Sequence, residues 1–113
     1  MTAIRIRKSE GTWVVRSGGA VLGETGNALE LTEDGHAPVI YFPRGDIAMA
    51  FLDRSKKTTH CPVKGDATYF SIVNKSSITP DAAWSYEHPV GEAAAIKDHV
   101  AFRLSDSVKV EQV

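Results

Sequence analysis

Ile4 and Ile6 alternate with Arg5 and Arg7, the two-residue period of a strand with one buried face. Thr12 to Arg16 concentrates aromatic and branched side chains that suit a pleated surface. Ser17-Gly18-Gly19 then signals a hairpin into Ala20-Val21-Leu22. Ala28 to Thr32 alternates again, Glu33 to His36 interrupts the pattern, and Pro38 to Phe42 is extended. Asp46 to Leu52 has room for one helical turn with Asp46 as its N-cap. The polar stretch Asp53 to Thr59 is assigned no element and leads into a turn at Cys61. Strands follow at Ala67 to Val73 and Ala82 to Glu87, separated by Lys75-Ser76-Ser77. Gly91 to Ile96 holds good helix formers, too few for an independent helix. Val100 to Phe102 and Val108 to Val110 close the chain. Short strands punctuated by turns predict one all-β domain over residues 1–113, with one or two short helical turns.

The 113 residues suffice for one core and not for two. A formal net charge of -1, with both signs scattered, builds no field that would hold nucleic acid or an anionic membrane, so neither is an expected partner. No apolar run reaches membrane-spanning length, and Met1 to Lys8 lacks the apolar stretch of a secretion signal. The single cysteine forms no internal disulfide and suits a reducing cytoplasm, the expected location.

Three motifs carry the candidate chemistry. In Cys61-Pro62-Val63-Lys64-Gly65, Pro62 pushes Cys61 towards extended geometry and Gly65 is free to take a positive φ. If the turn folds back, the Lys64 ammonium lies near the Cys61 sulfur and lowers the thiol's pKa, making Cys61 and Lys64 candidate catalytic residues. The plainer alternative is a buried, inert cysteine beside a solvated lysine. In Tyr41-Phe42-Pro43-Arg44-Gly45-Asp46, the bend presents Arg44, whose fork fits a carboxylate or phosphate; equally, Arg44 pairs with Asp46 or another internal carboxylate. In Trp84-Ser85-Tyr86-Glu87-His88, alternation sends Trp84, Tyr86 and His88 to one face and Ser85 and Glu87 to the other. Trp84 reads as core, whereas Tyr69 and Tyr86 carry hydroxyls that must find partners and are the better pocket candidates. One cysteine with His36, His60, His88 and His99 makes no paired-thiolate or His-Glu-x-x-His pattern, so no metal and no cofactor is expected.

Tyr41-Phe42-Pro43-Arg44-Gly45-Asp46-Ile47, Cys61-Pro62-Val63-Lys64-Gly65, Ala83-Trp84-Ser85-Tyr86 and His99-Val100-Ala101-Phe102 closely resemble, in order and spacing, the signature of the largely bacterial domain of unknown function 427 family. The resemblance covers roughly Trp13 to Phe102 and departs at Gly45, where the family usually has a charged or polar residue. It implies two antiparallel sheets meeting at an angle, a β-tent-like fold akin to zinc-binding exchange-factor and methionine sulfoxide reductase domains. The cysteines that pin those sheets through zinc are missing here, and a redox role for Cys61 alone would need an external reductant. The family also carries a nucleotidyltransferase label. That chemistry needs carboxylates placed together to hold magnesium, in known members a Gly-Gly or Gly-Ser ahead of Asp-x-Asp. No two aspartates stand one residue apart in this chain, and Gly18-Gly19 reads as a hairpin turn.

Two functional readings follow. In one, Arg44, Asp46, Cys61, Lys64, Tyr69, Trp84 and Tyr86 gather at one end of a folded sheet as a pocket for a small anionic molecule, with or without catalysis. In the other, the same motifs serve packing and turns in a structural or protein-interaction module, and function lies in an exposed apolar patch or strand edge.

Overall fold

The computed structural model describes residues 3–113. Ten strands form two antiparallel sheets. The larger sheet has seven strands, ordered β1 (Ile4–Lys8), β4 (Leu29–Glu33), β5 (Val39–Pro43), β9 (His99–Phe102), β8 (Ile78–Ser85), β7 (Gly65–Val73) and β6 (Leu52–Cys61). The smaller sheet sets β2 (Trp13–Ser17) between β10 (Val108–Gln112) and β3 (Ala20–Thr25). The all-β domain expected from the strand pattern, with the two antiparallel sheets that the family resemblance implies, is what forms.

Alternation along the large sheet divides its side chains between two faces. Phe70 lies opposite Ala83 and Ala83 opposite Phe102. These residues belong to the core shared with Val15 and Leu22 of the small sheet, together with Phe42, Ile72, Val100 and Val108. Tyr69, Trp84 and Ala101 are the next residues along the same strands and face away. On that side they join Tyr41, Leu31, Tyr86, Ala93 and Ile96 in a second cluster. Both faces are therefore covered near the middle, which suits strands as apolar as Val100-Ala101-Phe102.

The hairpin between β2 and β3 is turned by Gly18 and Gly19 at φ +57° and +86°, the pair of positive values that a two-residue connection matched to strand twist requires. The small sheet is tied at Gly23 to the segment that follows β5, through an isolated bridge to Ile47. A Cβ at Gly23 would stand 2.6 Å from the Asp46 carbonyl oxygen, so only glycine permits the approach.

Two expectations need correction. Asp53 to Thr59 belongs to β6, a strand at the edge of the large sheet. Most of its residues are exposed, so no apolar period marks it, and its pairing with β7 shifts register between Arg54 and Thr58. The helical turn expected within Asp46 to Leu52 forms as the 3-10 turn Met49–Phe51, with a second, Arg44–Asp46, ahead of it; what fails is the role of Asp46 as N-cap. Asp46 caps neither, since it ends the first turn and Ala48 precedes the second; its carboxylate accepts a 2.8 Å hydrogen bond from the Thr25 hydroxyl.

Candidate functional site

The two faces of the large sheet carry two separate clusters of charge. On the core-facing side, the Glu87 carboxylate accepts from Arg44 Nη1 at 3.0 Å and from Arg54 Nη1 and Nη2 at 3.0 and 2.9 Å. The Thr68 hydroxyl adds a longer contact at 3.4 Å. Both guanidiniums lie over the Phe70 ring, 5.5 Å (Arg44) and 5.4 Å (Arg54) from its centroid. Hydrogen bonds from Arg54, then Arg44, outweigh partial burial and hold the Glu87 pKa down at about 2. Every strong valence of that carboxylate is used internally. Of the two readings of Arg44, the internal ion pair is the one observed, with Glu87 rather than Asp46 as partner.

On the other face, Tyr69, Trp84, Tyr86 and Lys64 line a concavity of about 340 Å³ together with Val39, Tyr41, Lys57, Asp81 and Arg103. Each reaches it for a local reason. Tyr69 and Trp84 are cross-strand partners with ring centroids 6.3 Å apart. Lys57, on the edge strand, lies 4.7 Å above the Tyr69 ring. Lys64 rides on the β6–β7 turn, which is closed by Gly65 at φ +107° and anchored where the Val90 amide donates to the Lys64 carbonyl at 3.1 Å. Its ammonium donates to Glu33 at 3.1 Å and stands 5.6 Å from the Tyr86 ring. Asp81 sits at a positive φ of 49° where the pairing of β7 with β8 shifts, its amide held by the Ser71 hydroxyl at 3.1 Å. Arg103 follows β9 and donates to the Pro80 carbonyl at 2.9 Å.

The phenols are held neutral. Burial pushes the Tyr41 pKa up to about 12, against the smaller opposing effect of the Trp84 indole N–H, which donates to its oxygen at 3.2 Å. Burial also raises Tyr86. At neutral pH both therefore keep their O–H groups as donors. With its oxygen already accepting from Trp84, Tyr41 has its own proton left to give.

Four of the seven residues singled out from sequence (Lys64, Tyr69, Trp84 and Tyr86) thus come together, and three do not. Arg44 belongs to the opposite face, because it stacks on Phe70 and Phe70 points away from Tyr69. Asp46 bonds Thr25 near the small sheet. Cys61 is half-buried against the aromatic cluster and does not line the concavity. The Lys64 ammonium, expected beside the Cys61 sulfur, has the Glu33 carboxylate as its ion-pair partner. Trp84, expected in the core, is half-buried at its edge. The split of Trp84 and Tyr86 from Ser85 and Glu87 agrees with the strand period.

Lys57, Arg103, Tyr41, Glu33 and Asp81 escaped the sequence reading. Tyr41 had a usable signal: it precedes buried Phe42 in a strand, so it must face the other way. Lys57 had none, since nothing marked its segment as a strand. Among the described residues, no group of three or more His, Cys, Asp or Glu converges as a metal site. No helix among the described residues is long and apolar enough to cross a membrane.

No protein of curated function matches this chain. A family model does, over residues 5–113, which include all three motifs and every residue lining the concavity. The chain belongs to the family described as Domain of unknown function (DUF427).

Proposed function

We propose that this domain binds a small anionic molecule in the concavity lined by Lys57, Lys64, Tyr69, Trp84, Tyr86 and Arg103. The observation that carries the reading is the convergence of three cationic side chains and neutral phenols around a space of about 340 Å³, within the range of small-ligand sites. Lys57 and Arg103 are exposed and supply the charge that meets an incoming anion, while Tyr41 and Tyr86 offer O–H donors from the floor. Tyr69 and Trp84 form an aromatic wall. Binding without chemistry is the form of the reading the side chains support, since Cys61 lies outside the lining and Lys64 is held by Glu33.

The test is thermal unfolding at low ionic strength with acetate, benzoate and inorganic phosphate. A ligand of the native state at about one hundred times its Kd adds about 2.7 kcal/mol of stability. At least one anion should raise the melting temperature, and Lys57→Ala should cut the rise. Arg54→Ala, on the opposite face, should leave it intact. No rise with any anion, or equal loss in both variants, sinks the proposal.

A further inference from the structure

A second concavity, about 400 Å³ in volume, opens beside the first and shares two wall residues with it, Val39 and Trp84. Its remaining lining is Trp13, Pro38, Ile40, Phe102, Leu104 and Val110, with Glu30 as its single charged residue. Glu30 is engaged by Arg7 at 3.3 Å. Neither indole N–H is left to a ligand: Trp13 Nε1 donates to the Ser9 hydroxyl at 2.9 Å and Trp84 Nε1 to Tyr41. The groove is therefore an apolar neighbour of the cationic site: its Trp13, Ile40, Phe102 and Val110 belong to the core-facing side, and Val39 and Trp84 form the wall between the two. Around the cationic part, Lys57, Lys64 and Arg103 face the carboxylates Asp81 and Glu33, leaving an excess of one positive charge.

From this juxtaposition we infer that the ligand is an amphipathic monoanion, a carboxylate whose head sits among Lys57, Lys64 and Arg103 and whose apolar tail crosses Trp84 into the groove. The inference rests on the anion-binding reading above and goes beyond it by naming the ligand class. A single excess positive charge matches one carboxylate better than a dianion. A tail in the groove removes apolar surface from water on both partners, the largest source of affinity open to a small ligand.

The experiment is a titration of the full chain with straight-chain carboxylates from acetate to decanoate, kept below micelle-forming concentrations. Intrinsic fluorescence reads it directly, since the chain's 2 tryptophans, Trp13 and Trp84, both line the groove. Burial of one methylene contributes ~0.8 kcal/mol, so affinity should tighten up to about fourfold per added carbon until the groove is full. Leu104→Ser, at a position 62% exposed and so tolerant of change, should flatten that slope while leaving acetate affinity in place. Lys57→Ala should weaken every chain length by the same factor and keep the slope.

Short anions binding with no dependence on tail length would overturn this inference and leave the anion site standing. Failure of every anion, short or long, would remove both. A slope reproduced by uncharged alkanols and untouched by Leu104→Ser would mean nonspecific partition, and would also overturn it.

Discussion

The two faces of the large sheet use the same ingredients, a cation, a carboxylate and an aromatic ring, to opposite ends. On the core-facing side two arginines saturate Glu87 and stack on Phe70, leaving neither carboxylate oxygen without a partner. On the other side one lysine meets Glu33, and around that pair stand two further cations and phenols whose protons are not all committed. The first arrangement is closed and fastens β6 to the segment after β8. The second leaves a hollow with capacity for a ligand. An arginine fork fills both oxygens of a carboxylate at once, whereas a lysine presents a point charge and leaves geometry to spare. The contrast separates a stabilising cluster from a candidate binding site more clearly than residue type does.

The sharpest way to break this comparison is through Phe70, which is 3% exposed and lies beneath both arginines. Phe70→Ala should cost about 3–5 kcal/mol in urea unfolding while the folded fraction keeps its affinity for anions. Loss of anion affinity in that fraction would show that the two faces are not independent.

Next in size is the Lys64–Glu33 pair, whose side chains are only 13% and 16% exposed. Glu33→Ala leaves an ammonium in a poorly hydrated place and should destabilise by about 3 kcal/mol. Combining it with Lys64→Met should recover much of that, because neither charge is then left buried alone. An additive double variant would mean that the pair is not coupled.

The smallest effect concerns pH and Glu87. Its folded-state pKa is held at about 2, below the ordinary value of 4.5. The carboxylate's contribution to stability is thus complete above about 4.5 and is lost as pH falls through about 2. Glu87→Gln should lower stability at neutral pH by about 1 kcal/mol, as for a partly exposed ion pair, and shallow the acid limb of the stability curve. An unchanged acid limb would assign that limb to another carboxylate.

Much of the fold was legible along the chain. Strands such as Ile4–Lys8 and Trp13–Ser17 announce themselves because one side of each must leave water, and the Gly18-Gly19 turn because few other residues take two positive φ values in a row. The edge strand Leu52–Cys61 was not legible, since an exposed strand has no apolar period to display. The candidate site was half legible. Trp84 and Tyr86 share a face by strand alternation alone, and the Lys64 turn was visible in its proline and glycine.

What the sequence by itself determined is which side chains within one strand share a face, because the pleat sets that over a few residues. Which strands lie beside one another belongs to the tertiary structure. Pairing joins positions as distant as Tyr69 and Trp84, or Phe42 and Val100, through contacts that no local period encodes. That placement put Arg44 across the sheet from Lys64 and brought Lys57 and Arg103 to the hollow. The charges that define the site were therefore chosen by strand order, and strand order follows from how the whole apolar surface is buried at once.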